Sequence, residues 1–103
     1  MVSDKVKEGL RKAQELRWEW AKTQREVGEQ QRQLQAITED QARLRANLRE
    51  VPQTPPLHRR YLGQLGRQEG EVEKYQADIK KLQGQEHAQK KALDDFLAAF
   101  SAE

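Results

Sequence analysis

The sequence predicts an all-α fold, an antiparallel two-helix coiled-coil hairpin, and three observations support this. All three prolines fall within VPQTPP at residues 51–56, so one break separates two long proline-free segments. The apolar residues of both segments recur at steps of three and four, the period of helices that pack in coiled coils. Apolar residues make up only 35% and charged residues 35% of the chain, a composition typical of long helices rather than of a globule.

The first helix is predicted over residues 4–50. Ser3 is suited to the N-cap, and Asp4 follows in the first turn, where the helix dipole favours negative charge. Pro52 biases the residue before it away from helical angles, so the helix should end near Glu50.

The seam of this helix, meaning the row of residues that should face the other helix, follows from the heptad period. Near residue 34 it slips by one residue through a three-residue step, a stammer that overwinds a coiled coil locally. The predicted seam is Val6, Leu10, Ala13, Arg17, Trp20, Gln24, Val27, Gln31 and Leu34, followed by Ile37, Gln41, Leu44, Leu48 and Val51.

Residues 51–55 are predicted to form the turn and residues 56–100 the second helix, so that residues 1–103 make a single hairpin. Thr54 is suited to the N-cap, with Pro55 at the first helical position, where its missing N–H costs nothing. A connection of about five residues favours antiparallel neighbours.

The second helix carries an unbroken heptad seam. Its predicted members are His58, Tyr61, Leu65, Gln68, Val72, Tyr75, Ile79, Leu82, Glu86, Gln89, Leu93, Phe96 and Phe100. Laying the two seams against each other with the turn centred on residue 53 pairs Trp20 with Glu86 and Leu34 with Val72. The position of the prolines and the spacing of the seam residues therefore predict the same register of the two helices.

The sequence offers little for catalysis, and we expect no enzyme activity, cofactor or metal site. There are no cysteines. The two histidines, His58 and His87, are too far apart along one helix to share a site, at about 43 Å by the helical rise. No apolar run approaches the length of a membrane span, and no signal peptide is visible, so we expect a cytoplasmic location if the chain is complete.

Arginines concentrate around the predicted turn, where they suit contacts with phosphate or carboxylate groups. The candidate partner-binding residues are Arg43, Arg45, Arg49, Arg59, Arg60 and Arg67. One interpretation is a tip that binds an anionic partner such as nucleic acid. The other is a solvated tip whose arginines pair with acids on neighbouring chains.

A second candidate surface lies at the end of the hairpin where the two termini meet. Leu16, Trp18 and Leu97 are expected beside or outside the two-helix seam. Exposed tryptophan is a common anchor of protein interfaces. We therefore expect self-association, as a homodimer forming a four-helix bundle, or docking on a protein partner or parent domain.

The segment ITEDQARLRANLREVP at residues 37–52, followed by RYLGQLGRQEGEVEKYQADIKKLQ at residues 60–83, resembles the C-terminal coiled-coil segment of bacterial mucoidy-inhibitor-like proteins. The resemblance covers about residues 4–99 and carries over no catalytic residues. It implies that a mainly β portion of a longer protein precedes such a segment. The hairpin with basic residues is also similar to the tRNA-binding arm of seryl-tRNA synthetase.

The sequence thus predicts a structural or interaction module that mediates self-association or partner docking. The alternative is a nucleic-acid-binding helical arm that uses the arginine-rich tip. Phosphate contacts would make affinity fall steeply with salt, whereas a packed helical interface would change little.

Overall fold

A computed structural model describes residues 3–50 and 55–102 of the chain. Helix α1 spans Asp4–Glu50 and helix α2 spans Pro55–Ala102. The two helices pack as a hairpin, which confirms the fold class. The predicted turn centre, the Thr54 cap and the Val51 seam position lie outside the described residues.

The N-cap expected at Ser3 is present. The backbone N–H of Val6 donates a 3.2 Å hydrogen bond to Oγ of Ser3, and the N–H of Lys7 donates one of 3.1 Å to its carbonyl oxygen. Because the first amides of a helix have no partner within the helix, this serine fixes where α1 begins.

The seam of α2 is confirmed. Every residue predicted to belong to it is buried or half-buried, and Ile79 and Leu93 are the most enclosed, at 8% and 4% exposure. The heptad pattern therefore identified the inward face of this helix along its whole described length.

The predicted seam of α1 is confirmed at Ala13, Trp20, Val27 and from Leu34 to Leu48, but it is wrong at five positions of its first half. The residues that were placed on it but are exposed are Val6, Leu10, Arg17, Gln24 and Gln31. In their place, Gly9, Leu16, Thr23 and Gln30 turn inward. The corrected seam runs in regular steps of four and three from Gly9 to Leu48, so the expected stammer is absent.

Two local features favour the corrected seam, one at Gly9 and one at Thr23. A Cβ atom at Gly9 would collide with the ring of Phe100, so the large aromatic side chain lies against the bare backbone of the glycine. Thr23 tolerates its buried position because its hydroxyl donates a 3.2 Å hydrogen bond to the carbonyl oxygen of Glu19. A buried polar group with a partner costs little.

The described residues group into two compact units: the terminal unit, residues 3–28 with 80–102, and the turn unit, residues 29–50 with 55–79. In the terminal unit, Ala13, Val27 and Leu93 are buried. The indole of Trp20 donates a hydrogen bond to Glu86, as the predicted register requires. Phe96 and Phe100 stack with their centroids 5.9 Å apart.

The core of the turn unit is centred on Leu44, which is 1% exposed and is the largest fully buried side chain. Gln41, the seam residue that precedes Leu44, is also buried, at 6% exposure. The amide of Gln68 donates a hydrogen bond to the carboxylate of Asp40, which joins α2 to α1 within this unit. Across residues 3–50 and 55–102, neither helix carries an apolar stretch that could cross a membrane.

Candidate interaction surfaces

The six arginines of the predicted tip are all exposed, but they do not form one surface. Arg43 and Arg67 line a polar cleft of about 220 Å³ in the turn unit, together with Asp40, Gln64, Gln68 and Glu71. Arg59 lines a different cleft of about 360 Å³, with Pro55, His58 and Leu62. Arg60 and Arg67 are two helical turns apart on one face of α2, whereas Arg59 lies about 100° from Arg60 around the axis.

Asp40 is the centre of a small network in the polar cleft. Its carboxylate accepts hydrogen bonds from Nε of Arg43 at 2.8 Å and from Nε2 of Gln68 at 2.5 Å. The bond from Arg43 is the main cause that lowers the pKa of Asp40, and the bond from Gln68 adds to it. The same ion pair raises the pKa of Arg43.

The charges of the polar cleft balance. Two arginines face two carboxylates, Asp40 and Glu71, and Arg43 is engaged with the first of them. A phosphate entering this cleft would meet acidic groups as well as basic ones. The sequence count of arginines therefore overstates the positive potential available at this point of the turn unit.

A second cleft in the turn unit, here called the Tyr75 cleft, adjoins the first because Glu71 lines both. Its volume is about 370 Å³, and its walls are Gln30, Glu71, Lys74, Tyr75 and Asp78. The amide oxygen of Gln30 is buried and accepts no hydrogen bond within the described residues. This cleft thus combines two carboxylates, an aromatic ring and an acceptor without a donor.

The three residues expected to drive self-association differ in exposure. Leu16 is half-buried and belongs to the α1 seam, so its placement outside the seam was wrong. Leu97 is half-buried as well. Trp18 is 61% exposed, and Nζ of Lys22 lies 5.7 Å from the centroid of its ring.

The exposed apolar residues of α1 form a ridge that includes Trp18 of that set. Val6, Leu10 and Trp18 are 38%, 52% and 61% exposed, and all three belong to the terminal unit. They follow one row of residues spaced by four along the helix, in which Gln14 fills the remaining place. We call Val6, Leu10, Gln14 and Trp18 the α1 ridge. Rows of this kind interdigitate when two helices pack.

The terminal unit also contains an apolar cleft of about 250 Å³. Its lining combines Gly9, Phe96 and Phe100 with the charged residues Lys5, Glu8 and Lys12. Because Phe100 already fills the space over Gly9, the cleft depends on that glycine.

For two of the residues that line the Tyr75 cleft, the sequence alone predicts that they lie on the same face of α2. Glu71 and Asp78 are seven residues apart, which places them on one face of α2 on either side of Tyr75, a seam residue. Gln30 carried none, because the predicted frame of α1 put Gln31 inward instead. Among residues 3–50 and 55–102, no three His, Asp or Glu side chains group closely enough to hold a metal ion.

No protein-family model, curated protein or solved structure matches this chain. The resemblance to the coiled-coil segment of mucoidy-inhibitor-like proteins therefore stays a prediction.

Proposed function

We propose that this chain is a protein-interaction module that packs against a second copy of itself through the α1 ridge. The observation that carries the proposal is the exposure of Val6, Leu10 and Trp18 along one helical row. Apolar side chains released from water on association contribute roughly 25 cal/mol per Å² of buried area. A row of this kind is therefore a favourable contact for another helix.

The amount of exposed surface supports the same function. The accessible surface of the chain is 8075 Å², whereas a compact monomer of its mass exposes about 6,000 Å². The difference of about 2,000 Å² for one chain exceeds the roughly 800 Å² that each partner buries in a standard protein–protein interface. Within the described residues, only Ala13, Val27, Leu44, Ile79 and Leu93 are buried apolar side chains.

The geometry of the ridge suggests how two copies would meet. Rows of residues four apart interdigitate when two helices cross at about −50°. Trp18 supplies the large side chain that typically dominates the binding free energy of an interface. Leu16 and Leu97, which already pack within their own hairpin, would contribute less than the sequence suggested.

Light scattering tests the proposal. At about 100 µM, a homodimer with a Kd near 1 µM is almost fully formed, and the parent chain should have close to twice the monomer mass. The double variant Leu10→Gln with Trp18→Gln should move towards monomer mass with unchanged helix content, because both residues are exposed. Arg25→Gln, which is also exposed on α1 but outside the ridge, is the matched control. A parent chain that is monomeric at this concentration would contradict the proposal.

A nucleic-acid-binding arm is the second candidate, and exposed arginines favour it. Arg45, Arg49, Arg59 and Arg60 form no ion pair with any described residue. Phosphate contacts release counterions, so affinity for duplex DNA would fall with salt at a slope of about −0.9 per phosphate neutralised. Changing Arg45, Arg59 and Arg60 to Gln should then abolish retention on a polyanion column. Equal retention of variant and parent would remove this candidate.

A further inference from the structure

We infer that the second copy packs on the α1 ridge in the antiparallel direction, and that a charged row beside the ridge selects this direction. The charged row consists of Lys7, Arg11, Glu15 and Glu19. Because this row acts only where two copies meet, the inference rests on the proposed self-association.

The charged row flanks the ridge on its solvent side. Each of its members follows a ridge residue by one position, which is 100° around the helix axis, and all four are exposed. On the other side of the ridge, the row that contains Gly9 and Ala13 turns inward and contributes to the α1 seam. The charged row is therefore the polar flank that a second helix on the ridge would contact.

The order of charges in this row is unfavourable within one chain. Lys7 and Arg11 are like charges at i, i+4, and so are Glu15 and Glu19, an arrangement that destabilises a single helix. None of the four side chains forms an ion pair with a described residue. Two cations followed by two acids are thus available to a second chain.

Two-fold symmetry makes the same order complementary. If the axis crosses α1 at the level of Ala13, Lys7 lies opposite Glu19 of the second copy, and Arg11 lies opposite Glu15 of the second copy. Each pair occurs twice, because contacts about a two-fold axis are reciprocal. Charges that flank an apolar contact in this way determine the orientation of paired helices.

A parallel second copy would lose this match. About an axis parallel to the helices, the charged row would face the opposite flank of the second α1. The row on that flank contains Lys5, Gly9, Ala13 and Arg17 and no acid, so Lys7 and Arg11 would face no opposite charge. The antiparallel direction is therefore the one in which all four charges of the row are paired.

The same axis also suits the apolar side chains of the ridge. Ridges interdigitate when each side chain lies between two side chains of the other helix. With the axis at Ala13, Trp18 faces the gap between Val6 and Leu10 of the second copy. Leu10 in turn faces the gap between Gln14 and Trp18 of the second copy. One position of the axis thus satisfies both the apolar contacts and the charge pairs.

The experiment measures the Kd of self-association by light scattering over a concentration series, at about 50 mM NaCl, where screening is weak. Lys7→Glu with Arg11→Glu makes the row wholly acidic, and Glu15→Lys with Glu19→Lys makes it wholly basic. Either change turns all four pairs into like-charge contacts and should raise the Kd at least about tenfold.

The fully swapped variant combines these four substitutions. It restores every pair with reversed polarity and keeps the net charge of the parent. Its Kd should therefore return to within about threefold of the parent value. In about 0.5 M NaCl, screening should remove most of the difference between the double variants and the parent.

Lys80→Glu with Lys81→Glu is the matched control. It changes the net charge as much as the acidic double variant does, but at two exposed positions of α2 in the same terminal unit. The Kd of this control should equal that of the parent. Circular dichroism should show the parent's helix content for every variant, because all the substituted side chains are exposed.

The outcomes separate the orientation from the self-association itself. If Leu10→Gln with Trp18→Gln lowers the mass but neither double charge variant raises the Kd, the copies associate through the ridge and the antiparallel orientation is wrong. A fully swapped variant as weak as the double variants, or equal weakening by the α2 control, also overturns the orientation. A parent chain that is monomeric throughout the series contradicts the self-association and this inference with it.

Discussion

The indole Nε1 of Trp20 donates a 3.2 Å hydrogen bond to Oε1 of Glu86, and this bond joins α1 to α2 in the terminal unit. Nζ of Lys90 lies 5.8 Å from the centroid of the same ring and pairs with Asp94 at 2.9 Å. Both Trp20 and Glu86 are half-buried. Trp20 of α1 thus contacts both Glu86 and Lys90 of α2, and these contacts fix the register of the two helices in the terminal unit.

Replacing Trp20 with Phe tests the value of that bond. The ring would remain, but the donor would be lost and the carboxylate of Glu86 would lose its partner. A hydrogen bond to a charged group contributes about 1.5–3 kcal/mol, so we expect a loss of stability in this range. Urea denaturation followed by circular dichroism measures it. Tyr61→Phe is the control, because the hydroxyl of Tyr61 forms no hydrogen bond with a described residue and Tyr61 lies outside the α1 ridge, and it should change stability by less than about 0.5 kcal/mol.

Glycine substitutions should separate helix propensity from packing. A Cβ atom at Gly63 or Gly70 would meet open space, so Gly63→Ala and Gly70→Ala should each stabilise the protein by about 1 kcal/mol. Gly9→Ala should lose this gain and become destabilising, because the new methyl group would collide with Phe100. Thermal denaturation checks the sign, since about 1 kcal/mol shifts the Tm of such a domain by roughly 4–8 °C.

The Gly9 result has its own internal control. Phe100→Leu shortens the side chain that faces the glycine, so adding it to Gly9→Ala should recover part of the lost stability. If Gly9→Ala alone stabilises as much as Gly63→Ala, the ring of Phe100 does not restrain this position.

The contrast between the two helices shows how far sequence reasoning reaches. The α2 seam was predictable because Tyr, Val, Ile, Leu and Phe occupy most of it. In α1, the pattern favoured Val6 and Leu10 for their apolarity, yet both are exposed. One contact that favours the observed seam is that of Phe100 with Gly9, where a Cβ atom would collide with the ring, and no single-helix pattern contains that information.

The candidate surfaces were less predictable for a related reason. A cleft depends on which side chains of both helices face each other. Because the predicted seam of α1 was displaced by one residue there, Gln31 was expected to face inward instead of Gln30. The sequence shows that six arginines lie near the turn, but it does not show that Arg43 and Arg67 line one cleft while Arg59 lines another. The pairing of Arg43 with Asp40 follows from their i, i+3 spacing and could have been expected.

Acid should weaken the turn unit through Asp40. The hydrogen bond from Arg43, aided by Gln68, lowers the pKa of Asp40 in the folded state. Between the folded and the unfolded pKa, the unfolded chain binds more protons, so this contribution to stability is complete above about pH 5 and is lost as the pH falls through the folded pKa. The Tm of the parent should therefore fall faster below about pH 4 than the Tm of Asp40→Asn.

Glu73→Gln is the matched control for the pH experiment, because Glu73 is exposed and forms no ion pair with a described residue. Its Tm should follow the parent at every pH. Parallel curves for the parent and Asp40→Asn would show that the bonds from Arg43 and Gln68 do not stabilise the folded state.

The corrected α1 seam makes a prediction that distinguishes neighbouring glutamines. Gln30 faces inward with a buried amide oxygen that accepts no hydrogen bond from a described residue, whereas Gln31 is exposed. Gln30→Leu removes that unmet acceptor and adds apolar contact, so it should stabilise the protein by about 1–3 kcal/mol. Gln31→Leu should change stability by less than about 0.5 kcal/mol. Both are measured by urea denaturation at one protein concentration, because association shifts apparent stability. If Gln31→Leu stabilised the protein more than Gln30→Leu, Gln31 would be the seam residue, and the seam of α1 would contain the predicted stammer.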